Sequence, residues 1–393
     1  MKKALSFIIT LLLLSSLCIC AFAEENITLN IYNWGEYIDQ EVIKLFEAEY
    51  PHIKINYTTY DSNESMYSKM ISGAATYDVV IPSDYMVNKL IKEDLLYELD
   101  FDNIPNYKYI GESFKNQAHD PENKYSVPYL WGTVVVMYNS AYVDQADVAD
   151  KSLDLLWNEK YADKILMFDN PRDAFCLALL KLGYSMNSET HSEWEQAAEL
   201  LSEQKPLVQA YVMDAIFDKM EAGEAWIAPY YAGDAYYISD SNPDIEYYIP
   251  SEGTNMFIDS MCILNTSEHK KEAEMFINFM CSPEISRMNA EAVGYSTPNT
   301  ETLKMLDAQL TENKILYPDA EFLAENTDVF KNLSQSTQML QSTLWTSLKI
   351  EASAESSALD WIDIFCISIV VIGLASAVFF GIRSKKRQKL WKS

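Results

Sequence analysis

Positive charge is what this 393-residue sequence lacks most: 30 lysines and arginines stand against 58 aspartates and glutamates, a net charge of −28. The shortage is deeper in the body of the chain. Lys2, Lys3 and the six bases from Arg383 to Lys392 lie at the two ends, and of the acids only Asp360 and Asp363 fall outside 24–359. That stretch holds 22 bases and 56 acids, a net −34. Such a body repels phosphate backbones and anionic membrane surfaces, which excludes nucleic acid as its partner. Histidine is nearly absent: His52, His119, His191 and His269 are scattered without metal-ligand spacing. There is no Gly-x-Ser-x-Gly elbow, no phosphate-cradling glycine loop and no dinucleotide fingerprint. Two Ser-x-x-Lys tetrads, Ser202 to Lys205 and Ser267 to Lys270, lack the companion motifs of the enzymes that use them. The expectation is therefore no catalytic residue, no metal and no cofactor.

Cysteine is also sparse in the body. Cys18, Cys20 and Cys366 belong to the apolar ends, leaving Cys176, Cys262 and Cys281. An odd number in apolar stretches predicts buried thiols rather than a disulfide framework.

Apolar residues make up 49% of the chain and charged residues 22%, as in a folded protein. Lys2-Lys3, the apolar run from Leu5 to Leu14 and Ala21-Phe22-Ala23 read as a signal peptide over 1–23, cleaved before Glu24. At the other end Ile364 to Ile382 is 19 residues without a charge, flanked by Trp361 and the basic tail. That length and flank predict a single transmembrane helix over 361–382, after a linker at 351–360. The basic tail 383–393 would then be cytoplasmic and the acidic body would lie on the extracytoplasmic face of the cell membrane.

Between the ends, strand-like and helix-like segments alternate: strands at 27–32, 53–58, 77–81, 132–139, 164–168, 225–228 and 244–249, helices at 41–50, 61–71, 172–182, 191–202 and 268–280. This is an α/β pattern, and about 330 residues exceed one comfortable core, so two lobes are expected. Ligands of such sheets sit beyond the carboxyl ends of the strands. Aromatics and acids fall together at those positions: Trp34, Glu36 and Tyr37; Ser83 and Tyr85; Asn170 and Asp173; Tyr231 and Asp234; Phe257 and Asp259. Each taken alone has a plain reading as core ring or helix cap. Together they suit a flexible organic cation, whose ammonium groups need carboxylates and whose methylenes pack on rings.

Five of these residues, Trp34, Glu36, Tyr37, Ser83 and Asp259, lie within motifs that resemble a known family. Tyr32-Asn-Trp-Gly-Glu-Tyr37, Thr59-Tyr-Asp-Ser-Asn-Glu-Ser-Met-Tyr67, Tyr77-Asp-Val-Val-Ile-Pro-Ser83 and Tyr125-Ser-Val-Pro-Tyr-Leu-Trp-Gly132 are followed by Leu180-Lys-Leu-Gly-Tyr184, Ile258-Asp-Ser-Met261, Gly294-Tyr-Ser-Thr-Pro-Asn299 and Leu316-Tyr-Pro-Asp-Ala-Glu321. From about 27 to 330 the chain resembles the extracytoplasmic spermidine/putrescine-binding proteins of bacterial ABC importers. The resemblance implies a two-lobed periplasmic-binding-protein-like fold of type II, each lobe a mixed sheet flanked by helices, to which the charge-free run adds one C-terminal transmembrane helix. Lobe 1 would span 27–136 and 259–300, and lobe 2 would span 137–258 and 301–350.

By the same resemblance Trp34 and Tyr37 line the slot and Glu36 meets an amine. Ser83 and Tyr85 bond to or cover the ligand, and Asp173 meets a charged nitrogen from lobe 2. Tyr231 and Phe257 stand where the family usually has tryptophans around the alkyl chain. Asp259 matches the acid on a terminal amine, Tyr295 another wall residue, and Asp234 an acid of putrescine-preferring members. Gly35 replaces a common Ser or Thr, and Asn170 stands where spermidine-type members carry an acid. The implied function is a membrane-tethered, monomeric receptor that binds putrescine or spermidine and delivers it to the permease subunits of an ABC importer. The alternatives are the same architecture for an amino acid or sugar, or a surface glycoside hydrolase using two of the acids.

Overall fold

A computed structural model describes residues 26–73 and 75–350. The chain opens with β1 (Ile27–Trp34), whose alternation sends Leu29 and Ile31 into the core. Helix α1 (Gln40–Glu49) starts where the Asp39 side chain accepts the Glu41 N–H, and it buries Val42 and Phe46 at helical spacing. Strand β2 (Ile53–Tyr60) pairs parallel to β1 from Ile27↔Ile53 to Trp34↔Tyr60. Helix α2 (Asn63–Ile71) begins with a reciprocal capping box of Ser62 and Ser65. Strand β3 (Val79–Val80), parallel to β1, leads into α3 (Asp84–Lys92).

Strand β4 (Ser126–Asn139) is 14 residues long and buried throughout, because it runs between the two halves of the molecule. Pro128 sits beside a register shift, where a missing N–H costs no regular ladder bond. The second half continues with β5 (Ile165–Phe168), α4 (Pro171–Lys181), α5 (His191–Gln204), β6 (Val208–Val212) and α6 (Ile216–Glu221). Then come β7 (Ile227–Tyr231), α7 (Ala232–Ser241) and β8 (Ile245–Tyr248). Strand β9 (Thr254–Ile263) returns antiparallel to β4 and reaches β3, followed by α8 (Lys270–Met280), α9 (Pro283–Val293) and β10 (Thr327–Asp328). The strand order β2-β1-β3-β9-β4-β7-β5-β6 makes β9 and β4 the two central, crossing strands. Within each half the outer strands pair parallel, while every pairing between β4 and its neighbours is antiparallel.

Separate cores fill the two halves. One gathers Leu29, Ile31, Phe46, Ile53, Phe276 and Ile277 under the first sheet. The other gathers Val135, Val136, Phe168, Phe175 and Trp194 under the second. A third cluster, with Tyr32, Val80 and Leu90, takes in Cys176 of α4 and so ties the first half to the second. Cys176, Cys262 and Cys281 are free and buried, as their apolar surroundings predict.

The two-lobed α/β architecture stands, but the fold class expected from the sequence needs one correction. Among the described residues no helix is long and apolar enough to cross a membrane. The transmembrane helix assigned to 361–382 lies outside the described residues, as do the signal peptide (1–23), the linker (351–360) and the basic tail (383–393).

Candidate functional site

The cleft between the halves is built from the ends of the strands. Trp34 closes β1, and its indole N–H donates to the Ile81 carbonyl at 2.9 Å, which the Tyr60 hydroxyl also reaches at 2.7 Å. The turn that follows places Glu36 in the left-handed region at φ 40°, so that its exposed carboxylate faces the cleft mouth. Ser83 occupies the N-cap of α3 without capping it. Its hydroxyl donates instead to Asp259 Oδ1 at 2.6 Å, forgoing a cap bond worth about 1 kcal/mol. The Tyr37 hydroxyl donates to the other oxygen, Oδ2, at 2.7 Å. Asp259, on the crossing strand β9, is 4% exposed, and burial pushes it up to about 6 against the opposing pull of these two hydroxyls.

Two further buried acids come from the second half. Asp173, in the first turn of α4, accepts the Tyr231 hydroxyl at 2.9 Å, and burial raises it to about 7. Asp234, in the first turn of α7, accepts the Tyr295 hydroxyl at 2.6 Å. Burial, with Asp214 and Glu36 adding repulsion, raises Asp234 to about 8. A row of rings separates the two: Tyr231 to Phe257 is 5.3 Å between centroids, and Phe257 to Tyr295 is 6.1 Å.

All twelve residues singled out from the sequence line this one cleft: Trp34, Glu36, Tyr37, Ser83, Tyr85, Asn170, Asp173, Tyr231, Asp234, Phe257, Asp259 and Tyr295. Tyr85 turns its hydroxyl to Glu64 at 2.9 Å, and Asn170 uses its side-chain oxygen to cap α4 through the Arg172 N–H at 3.1 Å. Sequence reasoning missed Tyr60, Asp61, Met213, Asp214, Phe217, Tyr230, Asn255 and Phe330, which line it as well. Asp61 lies inside the Thr59–Tyr67 motif, a signal that was available. Asp214 and Phe217 follow β6, a half-buried strand without clear alternation.

The cleft thus carries six carboxylates (Glu36, Asp61, Asp173, Asp214, Asp234 and Asp259), and no lysine, arginine or histidine is among its described lining residues. Arg172 lies behind the wall. It pairs neither with Asp169, which meets Lys349, nor with Asp173, the two partners its position in the sequence suggests. Its guanidinium packs 4.5 Å from the Phe330 centroid and donates to Asn187 and to the Lys331 carbonyl. The open space measures about 60 Å³, room for on the order of five water-sized groups, which makes the cleft a narrow slot. Among the described residues no group of three or more His, Cys, Asp or Glu is arranged to hold a metal ion.

The profile of the bacterial extracellular solute-binding proteins matches residues 41–317. The chain belongs to that family. It is 35% identical to the spermidine/putrescine-binding periplasmic protein of Escherichia coli over 302 residues, 77% of this chain and 86% of that one. It is 29% identical to the putrescine-binding periplasmic protein SpuD of Pseudomonas aeruginosa over 89% of this chain and 99% of that one. The solved structure of the spermidine/putrescine ABC transporter substrate-binding protein PotD of Streptococcus pneumoniae is 38% identical, with a TM-score of 0.69 over 82% of this chain and 98% of that one. The resemblance carried by the sequence motifs is thereby shown, and the named relatives are binding proteins.

Proposed function

We propose that the chain is an extracytoplasmic receptor that binds a polyamine, putrescine or spermidine, in the cleft between its lobes and delivers it to the permease of an ABC importer. One observation carries this reading: six carboxylates, three of them buried, line a narrow aromatic slot with no cation among its described lining residues. Buried carboxylates without a counter-charge are unfavourable, and a protonated alkylamine supplies that charge while its methylenes pack on Trp34, Tyr231 and Phe257. No bond is made or broken. An amino acid would bring a carboxylate into a slot with nothing to pair it, and a neutral sugar would leave the acids uncompensated. Titration calorimetry of the purified protein against putrescine, spermidine, neutral sugars and amino acids tests the reading. Binding of the amines alone is expected, and binding of a sugar or amino acid with none of either amine overturns it.

A further inference from the structure

Gly35 and Asp214 meet across the cleft. Gly35 follows β1 in the first half and Asp214 follows β6 in the second. A Cβ on residue 35 would stand 2.2 Å from Asp214 Oδ2, closer than a real Cβ comes to any heavy atom, and 3.1 Å from its Cγ. The carboxylate therefore lies against the bare Cα of Gly35, in space that only glycine leaves free. No hydrogen-bond donor or ion-pair partner meets the Asp214 carboxylate among the described residues, and Glu36, Asp61 and Asp234 face it. Asp234 is 8% exposed, and among the described residues Tyr295 meets one of its oxygens and no donor meets the other.

The position along the slot gives this seat a meaning. Asp173 stands at one end of the row Tyr231, Phe257 and Tyr295, and Asp234 at the other. Asp259 joins between them through Tyr37, whose ring is 4.8 Å from that of Tyr295. The repulsions group the acids in the same way: Asp173 feels Glu64 and Asp259, whereas Asp234 feels Asp214 and Glu36.

Resting on the polyamine reading above, we propose that Asp214, seated against Gly35, is a specificity-determining residue: with Glu36 and Asp234 it offers one ammonium site beyond those at Asp173 and Asp259, which the third amine of a triamine fills. Residue 35 then acts on selectivity through Asp214, by admitting its carboxylate.

The test is calorimetry of the full chain with putrescine and spermidine as probes. Asp214→Asn, a near-isosteric change at an exposed site, should lower spermidine affinity about tenfold and narrow the spermidine-to-putrescine ratio. Gly35→Ala should do the same by expelling the carboxylate, and it should add little in combination with Asp214→Ala. Asp218→Asn, the same charge change in the adjoining open cavity, should leave the ratio unchanged. An unchanged ratio in Asp214→Asn with normal binding of both amines overturns this inference alone, as does an equal shift in Asp218→Asn or full additivity of the Gly35 and Asp214 changes. Loss of the inference together with the polyamine reading would show differently, as no binding of either amine by the unaltered protein.

Discussion

Lowering the pH from 8 to 6 should weaken polyamine binding on the order of a thousandfold, worked from three carboxyl groups by linkage. Burial raises Asp259 to about 6, Asp173 to about 7 and Asp234 to about 8. Alkylamines, with pKa near 10, stay protonated across this window. The acids must be ionised to pair with them, so each carboxyl still holding its proton must first release it. At pH 8 that release costs about a factor of two, nearly all at Asp234. At pH 6 it costs about a hundredfold at Asp234, about tenfold at Asp173 and about twofold at Asp259. Calorimetry with spermidine at pH 6, 7 and 8 measures the slope. A flat profile would refute the reasoning, because it would mean that the amine does not draw on these acids or that they are already ionised when empty. The ligand-free protein should respond in the opposite sense. Its folded pKa values lie above the unfolded ones, so the native state holds protons that the unfolded chain has released. The stability from these groups is complete below about pH 4 and is lost as pH rises through 6 to 8. Thermal melts should therefore show the largest ligand-induced gain at pH 8.

Two other substitutions separate binding from folding. A Cβ at residue 233 would lie 2.2 Å from the Tyr295 ring, so Gly233→Ala should displace that ring, break its bond to Asp234 and weaken amine binding about tenfold, read by calorimetry; unchanged affinity would remove Tyr295 from the wall of the slot. Asp120, 4% exposed, accepts the N–H groups of Lys124, Tyr125 and Ser126 and the Ser126 hydroxyl at the start of β4, so Asp120→Ala should cost roughly 2–4 kcal/mol in denaturant melts while leaving amine affinity in the folded protein near its original value.

The strand ends were legible because hydrophobic runs stop there and aromatic and acidic residues begin, and the family motifs sharpened the choice among them. What stayed hidden has local causes. Strand β4 was readable only from Gly132 onward, since Pro128 masks its first half, and the bulge that excuses that proline is a tertiary feature. Strand β6 (Val-Gln-Ala-Tyr-Val) presents intermediate burial on both faces, so no alternation announces it, and Asp214 at its end went unread. Helix α3 begins at Ser83-Asp84, where the residues read as a ligand loop, and its N-cap hydroxyl is in fact drawn away to Asp259. Asn170 was legible as a cleft residue, but its capping of α4 is visible only in the fold. Arg172 shows the same limit: it stands beside Asp173 in sequence, yet its guanidinium packs on Phe330.

The division of the acids between the two halves bears on how such a slot would work. Glu36 and Asp61 belong to the first half, Asp173, Asp214 and Asp234 to the second, and Asp259 to the strand that crosses between them. Two carboxylates about 6 Å apart repel by roughly 3 kcal/mol at an effective dielectric of 20, and nothing among the described lining residues offsets this across the cleft. An ammonium about 4 Å from each would be attracted by roughly 4 kcal/mol to either side, turning net repulsion between the walls into net attraction. A ligand can shift an opening equilibrium only by its difference in affinity for the two states, and a multiply charged amine has a large difference because it meets both walls only when they are near. A neutral solute of the same size would fill the slot and leave the walls repelling. On the polyamine reading, the acidity of the cleft therefore does more than set affinity: it disfavours closure of the empty receptor and reserves the closed form for one that carries its cation.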